Sequence, residues 1–512
     1  MSVRPRNPLI DGLERTLLPQ PGTLVIFGGA GDLSARRLLP AVYNLQVDGA
    51  LPANFAVVGF ARNELDDAAF RALARDGITR FSRRALDEEQ WAQFSRRLFY
   101  VTGSFDDNQA YNELKWRVEK IEAEWSIPGN RVFYLAIPPS LIGTCVGKLG
   151  AAGFVNRPDQ AAISRIIVEK PVGRDLESAR AINATLAKTF DESQIFRIDH
   201  YLGKETVQNI LVLRFANSIL EPLWNAKYVD HVQLTVAEAE GVGIRAGYYE
   251  EAGALRDMVQ NHILQVLAMI AMEPPWSLDA ETIRDAKIEL LRCLRPVRGA
   301  DVDKLVVRAQ YASGVHHGDE VPGYRREDGV RRDSTTETYV ALKVFIDNWR
   351  WAGVPFYIRT GKRLPKRASE AAVYFKPVPQ ILFNTNADAP LEWNVLALRI
   401  QPDEGFSLRL SSKLPGPKVA IYPVKMDFHY DATFGESTPE AYERLLLDVM
   451  AGDATLFMRR DAVEASWSWV TAILEAWDAT RARFVPEYSA GSWGPIEAER
   501  LIESDGRRWR TL

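Results

Sequence analysis

The stretch Thr23-Leu24-Val25-Ile26-Phe27-Gly28-Gly29-Ala30-Gly31-Asp32-Leu33-Ser34 decides the fold. Leu24 to Phe27 are apolar without alternation, as a strand covered by helices on both faces must be. The glycines that follow permit a tight turn and let backbone N–H groups approach an anion where a helix is predicted to begin. The pattern departs from a strict G-x-G-x-x-G, because Ser34 holds the third glycine position. Its place at the opening of the first βαβ unit makes it a phosphate cradle rather than a mere turn.

Working outward, strand-like segments recur at Phe55–Phe60, Leu98–Thr102, Arg131–Ile137, Ser164–Glu169 and Gln194–Ile198, with helical stretches between most of them. Leu176–Phe190 is the clearest of these helices, with Asp175 as its expected N-cap. The alternation predicts a doubly wound, Rossmann-like parallel sheet. After about Asp199 the texture changes. Tyr228–Ala237, Thr335–Asp347, Pro355–Arg359 and Asn394–Ile400 suit a large, mainly antiparallel sheet, with helices expected at Ala254–Met272, Pro439–Met450 and Ala462–Ala476. The polar stretch Gly314–Thr336 reads as a long exposed loop. The expected organisation is an N-terminal extension over 1–21, a dinucleotide-binding α/β domain over 22–198 and an α+β domain over 199–512.

Bulk properties narrow the function. A chain of 512 residues exceeds one ordinary core, and 46% apolar with 25% charged residues is globular composition. The 63 basic and 67 acidic side chains are interspersed and give a net charge of −4, which offers nucleic acid no field to follow. Cys145 and Cys293 form no metal or disulfide pattern, Met1–Leu18 lacks an export-type apolar run, and no segment has the length of a membrane span, so a reducing cytoplasm is expected.

Two clusters carry the chemistry. Arg197-Ile198-Asp199-His200-Tyr201-Leu202-Gly203-Lys204-Glu205 packs an acid, an imidazole, a phenol and an ammonium at the end of the last parallel strand. Ligands bind outside that carboxyl edge, and His200, Tyr201 and Lys204 offer what a phosphate dianion needs. Glu250 to His262 enters a helix whose apolar positions Leu255, Met258, Val259 and Ile263 recur at helical spacing, placing His262 near the edge of the stripe. Partial burial beside a carboxylate would make His262 a general base. At the end of the second strand Arg62 stands where an NAD site usually presents an acid, which favours the extra phosphate of NADP, while Asn63-Glu64 keeps NAD use open. The other histidines form no ligand cluster, and no metal is expected.

Together these blocks resemble the glucose-6-phosphate dehydrogenase family. GGAGDLSARRLLP (28–40), FYLAIPP (133–139), VEKPVGRD (168–175), RIDHYLGKE (197–205), residues 247–265 and RTGK (359–362) follow its order over roughly residues 22–480. The resemblance implies oxidation of glucose 6-phosphate at C1 to the lactone with hydride transfer to NADP, the first oxidative step of the pentose phosphate pathway. It implies His262 as base with Asp199 orienting it. It assigns His200, Tyr201 and Lys204 to the sugar phosphate, Lys170 between cofactor and sugar, Glu238 and Asp257 to sugar hydroxyls, and Lys362, Arg367 and Gln401 to the substrate. It places the dinucleotide against Gly28, Gly29, Ala30, Gly31, Asp32, Leu33, Arg62, Tyr134 and Lys170. It further implies a cis bond before Pro171 and a homodimer or homotetramer built through the large sheet. Ala30 replaces a hydroxyl or cation and Arg37 a lysine found in some relatives. The competing readings are another two-domain nicotinamide-dependent sugar oxidoreductase, which would not need the 199–204 cluster, and a non-catalytic NADP-binding regulator, which would be expected to lose its base.

Overall fold

The computed structural model describes residues 18–379, 391–417, 419–434, 439–479 and 485–512, so most of the expected N-terminal extension lies outside the described residues. Strands β1 (Gly22–Phe27), β2 (Phe55–Ala61), β3 (Leu98–Thr102), β4 (Arg131–Leu135), β5 (Ser164–Val168) and β6 (Ile195–Arg197) form one sheet in the order β3-β2-β1-β4-β5-β6. Every pair is parallel, with Val25 opposite both Val58 and Phe133. All residues of β1 and β2 are buried, which is why neither alternates. The helix after β5 spans Leu176–Leu186, shorter than predicted, and Asp175 caps it by accepting from Ser178 N at 2.8 Å. The strand order reverses between β1 and β4, and their carboxyl ends frame the crevice in which such sheets hold ligands.

The second sheet is larger and mixed. It uses β7 (Val229–Ala237), β8 (Val306–Ala312), β11 (Tyr339–Val344), β12 (Phe356–Gly361), β13 (Ala368–Phe375), β14 (Val395–Gln401), β15 (Gly405–Lys413), β16 (Ile421–His429) and β17 (Glu487–Ser489), in the order β16-β15-β14-β13-β7-β12-β11-β8-β17. Most pairs are antiparallel, but β7 runs parallel to β12 and β8 to β17. The stretch predicted as an exposed loop is different: Gly314–His316 (β9) and Asp319–Val321 (β10) form a hairpin, and Tyr324 and Ser334 are buried. Its polar composition misleads because its buried polar groups pair, Tyr324 and Ser334 both donating to Glu250 Oε1.

The end of the chain returns to the first sheet. Helix Ala441–Ala451 packs on Leu39–Val47, and helix Arg460–Ala479 packs on both Leu176–Leu186 and Ala280–Arg292. Glu443 accepts from Asn44 Nδ2 at 2.8 Å and from Arg83 Nη2 at 2.8 Å, Trp467 Nε1 donates to the Val172 carbonyl at 2.8 Å, and Met458 pairs with Arg197 on the outer edge of β6. One apolar core runs through both sheets. Among the described residues no helix is long and apolar enough to cross a membrane.

Candidate active site

The turn after β1 is fixed by the main chain. Gly28 has φ +79°, and a Cβ there would sit 2.3 Å from the Ala136 carbonyl oxygen; a Cβ on Gly29 would sit 2.6 Å from Gly59 Cα. Neither position accepts a side chain. Gly31 N donates to Gly28 O at 2.8 Å, and the chain then winds through a π-helical turn, Ser34–Leu38, into Leu39–Val47. Ala30 is half-buried and Leu33 likewise, while Gly31 and Asp32 face solvent. Arg62, just past β2, is exposed. On the far side of β1, Tyr134 on β4 is buried and donates to Glu169 Oε1 at 2.5 Å.

Moving along the same edge, the end of β5 carries Lys170 and β6 leads directly into Asp199–Lys204. Strands lie ~4.8 Å apart, so the carboxyl ends from β2 to β6 span roughly 19 Å, the reach of an extended dinucleotide with a small molecule beside it. The peptide between Lys170 and Pro171 is cis, as the family resemblance implies, and so is that between Gln401 and Pro402, which the sequence analysis does not anticipate.

His262 sits where Lys170 and Asp199 meet. Its Nδ1 lies 2.5 Å from Asp199 Oδ1, and its Nε2 lies 2.7 Å from Lys170 Nζ. Lys170 Nζ also donates to Asp257 Oδ1 at 3.0 Å, and Tyr248 donates to the same oxygen at 2.9 Å. His262 is 1% exposed, which corrects the expectation of partial burial at the edge of a stripe. The reason is local: Leu255–Ile263 is a π-helix, entered through Gly253 at φ +64°, so its side chains do not follow the 3.6-residue period. Eight of those nine residues are buried, Arg256 being the exception.

Burial pushes His262 below the ordinary imidazole range, against the upward pull of Asp199, with Lys170 adding to the depression. Burial alone would raise Asp199, but the charge and hydrogen bond of His262 hold it below the usual carboxylate range. Asp257 is likewise held low: burial opposes its charge, and Lys170, Lys362 and Arg245 more than offset it. The imidazole is therefore neutral at pH 7 between two ionised carboxylates, the state from which it can accept a proton.

The phosphate candidates adjoin this pair. The His200 and His262 rings are 4.5 Å apart, and the Tyr201 ring stacks on His262 at 4.5 Å. Tyr201 Oη lies 3.2 Å from Ser369 Oγ and accepts from Gln401 Nε2 at 3.3 Å; Arg367 Nη2 donates to Gln401 Oε1 at 3.3 Å. Lys204 Nζ lies 5.7 Å from the centre of the Tyr201 ring, and burial lowers its pKa, with Arg367 and Arg37 among the charges it feels. On the other flank Lys362 Nζ donates to Glu238 Oε2 at 2.9 Å. The residues assigned to sugar or catalysis thus gather about His262 and Tyr201, with the Lys362–Glu238 pair linked to them through the charge of Lys362 on Asp257.

Sequence reasoning missed four members. Glu169 accepts from Tyr134 and, at 3.3 Å, from Tyr442, whose ring stacks on His200 at 6.4 Å; Ser369 ties Tyr201 to β13; Tyr248 braces Asp257. Glu169 and Tyr248 lay inside quoted blocks, whereas Ser369 and Tyr442 lay outside them. The ligand atoms of Asp199, His200 and His262 fall within 4.8 Å of one another, spacing that a metal could use. Both nitrogens of His262 are already engaged, one of them by an ammonium, so the donor set suits proton transfer better than a cation.

Known proteins resemble the chain along almost its whole length. The sequence profile "Glucose-6-phosphate dehydrogenase, NAD binding domain" matches residues 25–209, and "Glucose-6-phosphate dehydrogenase, C-terminal domain" matches residues 211–510. Glucose-6-phosphate 1-dehydrogenase of Chlamydia pneumoniae is 46% identical over 507 residues, covering 98% of each chain, and that of Aggregatibacter actinomycetemcomitans is 48% identical over 487 residues, covering 95% of this chain and 97% of the other. A solved glucose-6-phosphate dehydrogenase in complex with glucose 6-phosphate superimposes with a TM-score of 0.87 at 34% identity, covering 97% of this chain and all of that one. The corresponding enzyme of Mycobacterium avium superimposes with a TM-score of 0.81 at 36% identity, covering 96% of this chain and 99% of its own. With both halves matched by the family's profiles and relatives 46–48% identical along almost the whole length, the chain belongs to the glucose-6-phosphate dehydrogenase family.

Proposed function

We propose that the chain oxidises glucose 6-phosphate at C1 to the 6-phosphogluconolactone, with NADP as acceptor and NAD as a second, weaker one. The observation that carries this reading is the contact of His262 with Asp199 on one side and with the His200–Tyr201 pair on the other, which lets a single hexose touch base and phosphate pocket together.

In this reading His200, Tyr201 and Lys204 hold the phosphate, with Arg367 and Gln401 at its rim. Charged and phenolic donors converging on a dianion give bonds about twice as strong as neutral ones. Glu238, Asp257 and Lys362 orient the ring hydroxyls. The C1 hydroxyl displaces Lys170 from His262 Nε2, that nitrogen takes its proton, and Nδ1 keeps its hydrogen bond to Asp199, which stabilises the imidazolium as it forms. Lys170 remains tied to Asp257 between sugar and cofactor. The dinucleotide, when bound, supplies the hydride acceptor. The Gly28–Leu33 turn fits its pyrophosphate because Gly28, Gly29 and Gly31 offer bare main chain there, Tyr134 lies beyond that turn on β4, and exposed Arg62 can meet a 2′-phosphate.

The same reading divides the chain at residue 199 and places it in the cytoplasm, acting in the oxidative pentose phosphate pathway. It also assigns the open flank of the second sheet to a homodimer, itself able to pair into a tetramer. Tyr422, Val424 and Met426 lie on one face of β16 and are 60%, 42% and 54% exposed, an apolar row that suits a second copy. Mixing the purified chain with NADP and either glucose 6-phosphate or free glucose tests the activity by absorbance of the reduced cofactor. Reduction with the phosphorylated sugar alone is expected; reduction with free glucose alone rejects the reading in favour of another sugar oxidoreductase, and none with either favours the regulator.

A further inference from the structure

Neighbouring strands of the second sheet, in the order β14-β13-β7-β12, present Gln401, Ser369, Glu238 and Lys362 at one end, Glu238 and Lys362 standing just beyond their strands. Ser369 has no part in the mechanism above, yet it touches the phosphate pocket. It is buried, and its Oγ lies 3.2 Å from Tyr201 Oη and accepts from Gln401 Nε2 at 3.0 Å. The polarity of these groups is set from one side. A guanidinium can only donate, so Arg367 claims Gln401 Oε1 and turns the amide N–H groups onto Ser369 Oγ and Tyr201 Oη. Ser369 then has its own hydrogen to give to Tyr201 Oη, and the phenol hydrogen is left for a phosphate oxygen.

Ser369 stands where the ladder is broken. It pairs with Gln401 while Glu370 pairs with Arg399, so Ile400 is an extra residue of β14. Without that bulge Ser369 would oppose Ile400 instead of Gln401. Side chains alternate along a strand, so Glu370 leaves β13 from the opposite face. There it is buried and accepts from Arg510 Nε at 2.6 Å. Arg510 is itself pinned: its N–H donates to Gln233 Oε1 on β7 at 2.8 Å, and its carbonyl accepts from Arg359 Nη2 on β12 at 3.0 Å. Thr235, paired with both Glu370 and Arg359, lies between them and accepts from Arg359 Nε at 3.1 Å. Arg510 thus ties β13, β7 and β12 together on the face away from Ser369.

We propose that Arg510 is a positioning residue of the phosphate pocket: by anchoring Glu370 on one face of β13 it holds Ser369 on the other, where Ser369 directs the Tyr201 hydroxyl at the sugar phosphate. The inference rests on Tyr201 holding that phosphate. A buried carboxylate deprived of its guanidinium must reach water or take up a proton, and either moves Glu370. Beside a bulge the ladder offers little else to keep Ser369 in place.

The test is steady-state kinetics with glucose 6-phosphate and NADP in the wild type, Arg510→Ala, Ser369→Ala, the double variant and Lys204→Ala, with folding checked by thermal melts. Arg510→Ala and Ser369→Ala are each expected to raise the KM for the sugar phosphate about 3–10-fold while kcat and the KM for NADP stay within about twofold, and the double variant should be no worse than the poorer single one, as residues acting through one contact behave. A wild-type KM in Arg510→Ala overturns the proposal, as do losses that add in full in the double variant. If Arg510→Ala does not fold, Glu370→Ala takes its place, since it leaves no buried charge unpaired and Arg510 keeps access to water. It must raise the same KM, and a wild-type value there overturns the proposal equally. A raised KM in Lys204→Ala with none in Arg510→Ala fells the role of Arg510 alone; a wild-type KM in both means that the pocket itself is misread.

Discussion

The turn after β1 and the cluster after β6 lie along one edge of the same sheet and are both proposed to meet anions, yet they are made of different material. The first is main chain: glycines at 28 and 29 against the Ala136 carbonyl and Gly59, flanked by exposed Asp32 and Arg62. The second is side chain: Asp199, Tyr201, Asp257, His262 and Lys362 are all buried, and the charges around them hold Asp199 and Asp257 ionised while burial keeps His262 neutral. A main-chain site holds any pyrophosphate and depends on having no side chains. A side-chain site recognises one molecule and depends on each charge being answered. The first should break by addition and the second by subtraction.

The largest effect expected on this contrast is from His262→Asn. It should lower kcat by about 10^2–10^4-fold and leave the KM for glucose 6-phosphate nearly unchanged, because general base catalysis acts in the transition state. Steady-state kinetics at pH 7.5 decide it, and unchanged kcat removes His262 from the role of base. Lys204→Ala should instead raise that KM about 10–100-fold, the worth of a charge-assisted hydrogen bond of ~1.5–3 kcal/mol, with kcat much less affected. A KM equal to the wild type's would take Lys204 out of the phosphate pocket.

At the glycine turn the contrast predicts the reverse sensitivity. Gly28→Val adds atoms at positive φ against a carbonyl, and a strain of ~1–3 kcal/mol should weaken NADP and NAD alike by about 5–100-fold. Ala30→Ser, which adds one oxygen at a half-buried position, is the control and should cost little. Equal behaviour of the two variants in cofactor titrations would mean the turn does not approach the dinucleotide. Arg62→Ala is the mildest: an exposed cation is worth up to ~1 kcal/mol, so the KM for NADP should rise about 3–5-fold and that for NAD should not move. A matched loss for both cofactors would place the 2′-phosphate elsewhere.

The two regions were also unequally legible in the sequence. The strands around the glycine turn are uniformly apolar and short-range in their logic, so β1 to β6 appear within a few residues of their predicted bounds. The RIDHYLGKE turn could be placed because it directly follows β6. What pattern could not supply is long-range. Ser369 and Tyr442 reach the site from segments 170 and 243 residues away from Asp199, and nothing in their own neighbourhoods marks them. The depth of His262 was hidden for another reason, since a π-helix turns its side chains by a different angle from the period used to read it. Strand β13 escaped because Ser369 and Glu370 interrupt its apolar run, whereas β15 and β16 were legible in the alternation of Phe406, Leu408 and Leu410 and of Val424, Met426 and Phe428 with polar residues and were passed over; Gly314–Thr336 escaped because its burial is polar.

The return of residues 441–479 to the first sheet carries a consequence for biosynthesis. All six strands of that sheet are made once the ribosome has passed Arg197, but Met458, which covers the outer edge of β6, and Glu443 and Trp467, which answer Arg83 and Val172, come more than two hundred residues later. Throughout that interval the nascent cofactor-binding half shows an open strand edge and an uncovered helix, both of them sticky to other chains. A stop codon shortly before residue 440 would therefore cost more than the missing tail: it would release a chain whose oldest part had never been closed.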